Sequence, residues 1–284
     1  MNWSDVDAAG TELDQVSARY GFHPLHVEDC RSDAQRAKVE EGDGYLFIVL
    51  KRVVLRENNE LTVADLDLFV GPDYLVTVHK QPDPALQVLR EKADQWRPDE
   101  GLYRVMDATV DLYYPLLEEL EDRIDAIESD VLRQPAPAVL ERMAEIRTSL
   151  LDLRRVLSNT RQVAYTLQRG DRELIGRKLL PFLRDIYDHL ARDLDTVARE
   201  SDRLRGLLDL YQSSLANQSN EAARLLTVVG TIALPAVVIS AFCGMSLRYP
   251  SWMLSDYAFT GVCGITVLAT AAVLWILKRR GYFS

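Results

Sequence analysis

Three groups of residues in this 284-residue chain have the types and spacing to handle a cation. The first is a polar series, Asn217, Asn220, Thr227, Thr231 and Ser240, set in an otherwise apolar C-terminal segment with the small residues Ala223 and Gly230 between them. Amide and hydroxyl oxygens in such a segment either line a path for an ion or hold neighbouring helices together, the ordinary use of small and hydroxyl residues in lipid. The second is Cys243 with Cys263, whose thiolates suit a soft ion such as zinc and whose small side chains equally suit packing. The third is His23-Pro24-Leu25-His26 ahead of Glu28 and Asp29, which offers imidazole and carboxylate ligands and is also a proline-bounded turn able to cap a helix. The sequence has no phosphate-binding Gly-rich loop, Gly-x-Ser-x-Gly elbow or His-Glu-x-x-His helix, so an enzyme has no visible machinery here. With Cys30, the three cysteines give neither an even disulfide framework nor a Cys-x-x-Cys spacing.

The elements that must position these groups begin with two stretches, Leu225 to Met245 and Tyr257 to Leu277, each 21 residues long and free of charge. Roughly 20 apolar residues at about 1.5 Å each cross a bilayer core, and a helix satisfies its own backbone in lipid. They read as two transmembrane helices, about 225–245 and about 257–277, joined by an external loop at 246–256. Arg224 precedes the first and Lys278, Arg279 and Arg280 follow the second, whereas the loop holds only Arg248 and Asp256. Both termini are therefore expected on the cytoplasmic side of an inner membrane, with the basic tail at its surface. Residues 1–223 carry 28 of the 33 Lys and Arg and 42 of the 43 Asp and Glu, a net charge of −14. That acidity argues against nucleic acid as a partner and is compatible both with cation handling and with plain solubility. The first 20 residues are polar, and no secretory leader is read there.

The body divides by pattern. Residues 45–55, 61–70 and 74–79 are apolar or alternating and rich in β-branched and aromatic types, separated by Arg56 to Glu60 and by Gly71-Pro72-Asp73, and predict strands of an antiparallel sheet. After Gln81-Pro82-Asp83-Pro84 the pattern turns helical. Three domains are expected: an α/β domain at 1–100, a helical stalk at 101–223 and a membrane hairpin at 224–284. Met106, Val110, Tyr113, Leu117, Leu120, Ile124, Ile127 and Val131 predict one helix that stops before Gln134-Pro135, and a second returns antiparallel from about Ala138 to Arg169. Leu183, Tyr187, Leu190, Leu194, Val197, Ser201, Leu204, Leu208, Tyr211 and Leu215 repeat every 3.5 residues, a coiled-coil seam. With no proline between Phe182 and Leu234, that helix runs on into the first membrane span, roughly 100 Å at 1.5 Å per residue. Its stripe needs cover from the two antiparallel helices or from other copies of the chain. Two membrane helices cannot enclose a pore alone; an oligomer with one helix per copy around an axis can.

Several blocks of this chain resemble the CorA-type magnesium transporters, the two-transmembrane family whose signature is Gly-Met-Asn after the first membrane helix. They are His23-Pro24-Leu25 with Glu28-Asp29, Lys38 to Glu41, Tyr45 to Leu50, Leu183 to His189, Gly206 to Asp209, Asn220-Glu221, Leu226-Thr227, Pro235, and Gly244-Met245-Ser246 in the place of the signature. The resemblance spans almost the whole chain and implies a homopentameric funnel: an α+β cytoplasmic domain, long coiled-coil-like helices and two C-terminal transmembrane helices. It implies that Asn220, Ala223, Leu226, Gly230, Leu234, Val237 and Ala241 face a pore, with Leu226 and Leu234 as dewetting constrictions. Their spacing of three or four independently places them on one helix face.

Gly244, Met245 and Ser246 would form the selectivity mouth, where five hydroxyls replace the five amides that suit a hydrated magnesium ion. Asp185 matches an aspartate that in the family faces a carboxylate of the neighbouring subunit across a regulatory metal, with Asp83 as the candidate for that partner. The transported ion is expected to be magnesium, with cobalt or nickel also carried, or zinc as in the ZntB-like branch. A non-conducting membrane sensor or scaffold is the reading from a different class, motivated by the altered signature. No cofactor is expected beyond the divalent ion.

Overall fold

A computed structural model describes residues 1–32, 36–55, 61–81, 84–133, 136–170, 172–244 and 256–279. Strands β1 (Asn2–Asp7), β2 (Lys38–Glu41), β3 (Leu46–Leu55), β4 (Leu61–Val70) and β5 (Tyr74–His79) form one sheet in the order β1-β5-β4-β3-β2. β3 and β4 pair antiparallel over their whole lengths, from Leu46 opposite Val70 to Leu55 opposite Leu61. The strand pattern at 46–79 thus forms as expected. The three expected strands pair antiparallel, β3 with β4 and β4 with β5, and the structure adds β2 antiparallel to β3 and, at the other edge, β1 parallel to β5, from Asn2 opposite Tyr74 to Asp7 opposite His79. Helices α1 (Glu12–Tyr20) and α2 (Pro24–Arg31) lie between β1 and the rest, and this crossover is what lets β1 run parallel to β5.

Both faces of the sheet are covered, which is why its central strands read as nearly continuous apolar runs. Phe47, Val49, Phe69, Tyr74, Val76 and Val78 share one face with Leu13, Val27 and Cys30 of α1 and α2. Phe22 closes that layer, stacked on Phe69 with ring centroids 3.9 Å apart. By the two-residue period, Leu46, Ile48 and Leu50 occupy the other face, and all three are buried. Helices α4 (Pro98–Asp111) and α6 (Pro137–Gln168) pack onto that side. Tyr113 fixes the junction: its hydroxyl donates to the Lys51 carbonyl at 2.5 Å and lies 3.3 Å from the Thr160 hydroxyl.

The first long helix is interrupted, contrary to the continuous run predicted from Met106 to Val131. α4 ends at Asp111, and α5 (Tyr113–Arg133) begins after Leu112. Pro115 is the physical reason, since it has no N–H for the Asp111 carbonyl and its ring collides with that turn. The hydrophobic stepping continues across the break because both helices bury the same side.

After α3 (Pro84–Arg90) and the helices above, α7 (Leu180–Gly244) is one helix of 65 residues with Pro235 inside it, and α8 (Asp256–Arg279) has 24. The seam on α7 is covered asymmetrically. Leu183, Leu190, Val197, Leu204 and Tyr211, spaced by seven, are buried, whereas Tyr187, Leu194, Ser201 and Leu208 are half-buried and Leu215 is exposed. Arg203 ties α7 to Asp125 and Glu128 of α5. The chain forms two compact units, residues 1–209 and 210–284.

Candidate ion pathway

Beyond Tyr211, no described side chain of α7 is buried, and none on α8 is buried either. Leu226 is 75% exposed, Leu234 63% and Val237 62%, a degree of apolar exposure that water does not tolerate over a segment of this length. Among the described residues α7 is long and apolar enough to cross a membrane, and α8 carries a shorter apolar run, Cys263–Ile276. Asn220, Ala223, Gly230 and Ala241 are exposed as well. Because α7 is helical throughout, all seven positions from Asn220 to Ala241 fall on one face of it.

The two threonine hydroxyls of that segment are turned back on their own helix. Thr227 donates to the Ala223 carbonyl at 2.8 Å and Thr231 to the Thr227 carbonyl at 2.7 Å. Such bonds let a polar side chain sit in an apolar surface at little cost. Pro235 lies inside α7 and has no N–H to give to the Thr231 carbonyl, so the usual helical bond is missing there. Gly244 is the last residue of α7. Met245 and Ser246 lie outside the described residues, as do Asp83 and Arg280 and most of the 246–256 loop. Lys278 and Arg279 form the last turn of α8, where cations complement the carbonyl end of the helix.

Asp185 lies on the first turns of α7, its side chain 65% exposed and its Oδ2 3.7 Å from His189 Nε2. The structure adds two acids to this neighbourhood that the sequence did not single out. Burial raises the carboxyl of Asp107 on α4, reinforced by the adjacent Asp111, and burial likewise raises Asp193 on α7. His189 opposes both shifts. Asp193 is one helical step of eight from Asp185, whereas Asp107 comes from a helix nearly eighty residues away, and only the fold joins them. No group of three or more His, Cys, Asp or Glu among the described residues is close enough to hold a metal ion. A metal at Asp185 therefore needs ligands from outside those residues.

The histidine pair is structural. His23 caps α2, its Nδ1 accepting from the Leu25 N–H at 3.3 Å. The Tyr45 hydroxyl accepts from the His23 N–H at 2.8 Å and meets His26 Nδ1 at 2.8 Å, while His26 Nε2 lies 3.2 Å from Glu40. A carboxylate only accepts, so Nε2 carries the proton and Nδ1 accepts from the tyrosine. Burial holds His26 below the usual histidine range despite Glu40. Cys263 is exposed, and the side chain of Cys243 is outside the description.

An α+β domain followed by long helices, ending in apolar helices whose faces nothing among the described residues buries, has the organisation of a membrane protein with a large body outside the bilayer. The family described as "CorA-like Mg2+ transporter protein" matches residues 1–279, and the chain belongs to that family. The cobalt/magnesium transport protein CorA of Thermotoga maritima is 31% identical over 277 residues, covering 94% of this chain and 79% of that protein. At lower identity, the zinc transport protein ZntB of Yersinia enterocolitica is 24% identical over 205 residues, 69% of this chain and 60% of that one. The complete structure of the CorA magnesium transporter from Methanocaldococcus jannaschii superposes with a TM-score of 0.88 at 22% identity, covering 99% of this chain and 91% of that one.

Proposed function

We propose that the protein carries divalent cations, magnesium first, across the cytoplasmic membrane through a pore that α7 lines in a homopentamer, with both termini cytoplasmic. The observation that carries this reading is the uncovered face of α7 from Asn220 to Ala241. Among the described residues of a single copy nothing buries that face, and around an axis it becomes a wall. Leu226 and Leu234 then form apolar rings that exclude water when narrow, and α8 supplies the outer, lipid-facing layer. Gly244, Met245 and Ser246 form the mouth, and Lys278, Arg279 and Arg280 gather at the inner surface, where anionic lipid favours them.

Flux into liposomes holding an ion-sensitive dye, with Mg2+, Zn2+, Co2+ and Ni2+ compared with and without a pH gradient, tests this. Uptake of none of the four sinks transport and leaves a sensor or scaffold. The ZntB relative and the serine at 246 favour zinc as the second cargo. A serine hydroxyl is a shorter arm than an asparagine amide, and serine as a residue type can spend its hydroxyl on a nearby backbone carbonyl. The mouth therefore grips hydrated magnesium less well, by about 1 kcal/mol for each hydrogen bond to the ion's water shell that the serine fails to make. Ser246→Asn is expected to raise Mg2+ preference several-fold and to strengthen block by hexammine cobalt. If both stay unchanged, selectivity resides elsewhere.

Asp185 is read as one side of an intersubunit regulatory site for Mg2+, with Asp83 as its candidate partner. Its exposure leaves the carboxylate available to a neighbour. An ion there favours the closed arrangement only through its differential affinity for it. Asp185→Ala is expected to shift inhibition of flux by internal Mg2+ to higher concentration, and an unshifted curve removes Asp185 from the switch.

A further inference from the structure

Where α4 meets the start of α7 there is a cavity of about 530 Å3, lined by the rings of Trp96, Tyr103 and Phe182 and by the cations Arg104, Arg177 and Lys178. That volume lies within the range of small-ligand sites, roughly 300–1,000 Å3. The acids in the same wall are committed elsewhere. Asp99 is buried and accepts from the Arg97 guanidinium at 2.6 and 3.0 Å and from the Gly176 N–H at 2.9 Å. Glu100 accepts from the Arg97 backbone N–H at 3.1 Å, closing the start of α4. Gly176 suits this close approach, because a Cβ there would stand 2.7 Å from the Arg97 guanidinium and 2.8 Å from Asp99 Oδ2 and would displace the ends of those side chains. The turn drawn down onto Asp99 sets the next two residues, Arg177 and Lys178, at the cavity wall.

Arg177 and Lys178 are exposed and form no ion pair among the described residues. Arg104 lies 5.8 Å from the Trp96 ring centroid and 5.4 Å from that of Tyr103, and it is shared with Asp107 on its own helix. Tyr103 and Phe182 meet with centroids 5.4 Å apart. Residues 1–223 carry a net charge of −14, yet this concave surface holds two unneutralised cations and a stacked arginine beside three rings. Cations of that kind hold phosphate oxygens through charge-assisted hydrogen bonds, and the rings give a flat heterocycle a stacking surface.

We propose that this cavity binds a nucleoside phosphate, its base against Trp96 and the Tyr103–Phe182 pair and its phosphates on Arg177, Lys178 and Arg104. The site stands on the cavity's own chemistry and holds whether or not the protein conducts ions. Calorimetric titration of the purified full-length protein in detergent, without divalent ions, tests it with four probes: ATP, ADP, adenosine and tripolyphosphate. ATP and ADP are expected to saturate one site per chain. Adenosine and tripolyphosphate, each lacking half of the recognised chemistry, are expected to bind at least about tenfold more weakly. The double variant Arg177→Glu with Lys178→Glu should weaken ATP binding at least about tenfold, while Arg154→Glu on the exposed side of α6 leaves it unchanged. Trp96→Ala should weaken ATP and leave tripolyphosphate as it was. Because Arg177 and Lys178 are exposed, the double variant should keep the wild-type circular dichroism and melting curve. ATP binding undiminished in that folded variant, equal affinity for tripolyphosphate and ATP, or no saturable ATP binding to the wild type would each overturn the site.

Discussion

Leu204→Asp is expected to prevent folding of the N-terminal body, whereas Leu208→Asp, one helical turn further on, is expected to leave the fold and break the proposed homopentamer. The two leucines belong to the same 3.5-residue seam but differ in cover. Leu204 is 6% exposed within a single chain, where α7 is tied to α5 through Arg203, while Leu208 is only half-buried. A carboxylate at 204 is either ionised without a partner or forced to stay protonated, and either state costs several kcal/mol. Against a typical total stability of about 5–15 kcal/mol, that is enough to unfold a large fraction of the protein. At 208 water still reaches the side chain in the single chain, so the intrachain cost is small. The same charge facing a second copy is desolvated on association and opposes it. Thermal melts followed by circular dichroism, with native mass spectrometry in mild detergent, separate the two effects. Normal pentamers from both variants would mean that the seam is misread. Equal loss of folding in both would make the whole seam an intrachain core.

The seam also shows where the sequence was informative. A repeat of 3.5 states that a helix has a stripe to bury, but the same leucines serve an intrachain core or a partner. Only the structure separates the buried set at 183, 190, 197, 204 and 211 from the half-covered set between them. The central strands were legible because burial on both faces makes most of their residues apolar, β-branched or aromatic. β1 and β2 were not, for the opposite reason. At the edges of the sheet, Asn-Trp-Ser-Asp-Val-Asp and Lys-Val-Glu-Glu carry mostly polar residues and look like loops. The break at Pro115 escapes the hydrophobic pattern because its effect on the backbone leaves the spacing of buried side chains intact. The positions from Asn220 to Ala241 share one face of a single periodic helix, so their alignment, unlike their proposed role in a pore, could be read residue by residue. Asp107 beside His189, and the cavity joining Trp96 to Lys178, depend on the packing of distant segments that no local pattern encodes.

Asp67 carries the other large expected effect, on stability as a function of pH. It sits mid-way along β4 between Val49 and Val78, only 3% exposed, on the face covered by α2. Its Oδ1 finds no hydrogen-bond partner among the described residues. Burial pushes its carboxyl up to about 7, and the neighbouring Asp65 and, more weakly, Asp29 add to this. The thiol of Cys30, itself kept protonated by burial, donates to the carboxylate and with Lys51 opposes the rise. A carboxyl that titrates near 7 folded and near 3.8 unfolded contributes stability that is fully present below about pH 4 and lost as the pH rises through 7. Three units at about 1.4 kcal/mol each make the loss about 4 kcal/mol, an upper figure.

Asp67→Asn keeps the shape and removes the charge, so the wild type should lose stability relative to this variant between pH 4 and 8. At pH 8 the variant should be the more stable by a few kcal/mol, less about 1 kcal/mol for the bond from Cys30. Denaturant midpoints of the two proteins across that range give the difference directly, and the other carboxylates, common to both, cancel. A difference that stays flat from pH 4 to 8 would mean that Asp67 ionises as easily folded as unfolded, and that water reaches it beneath α2.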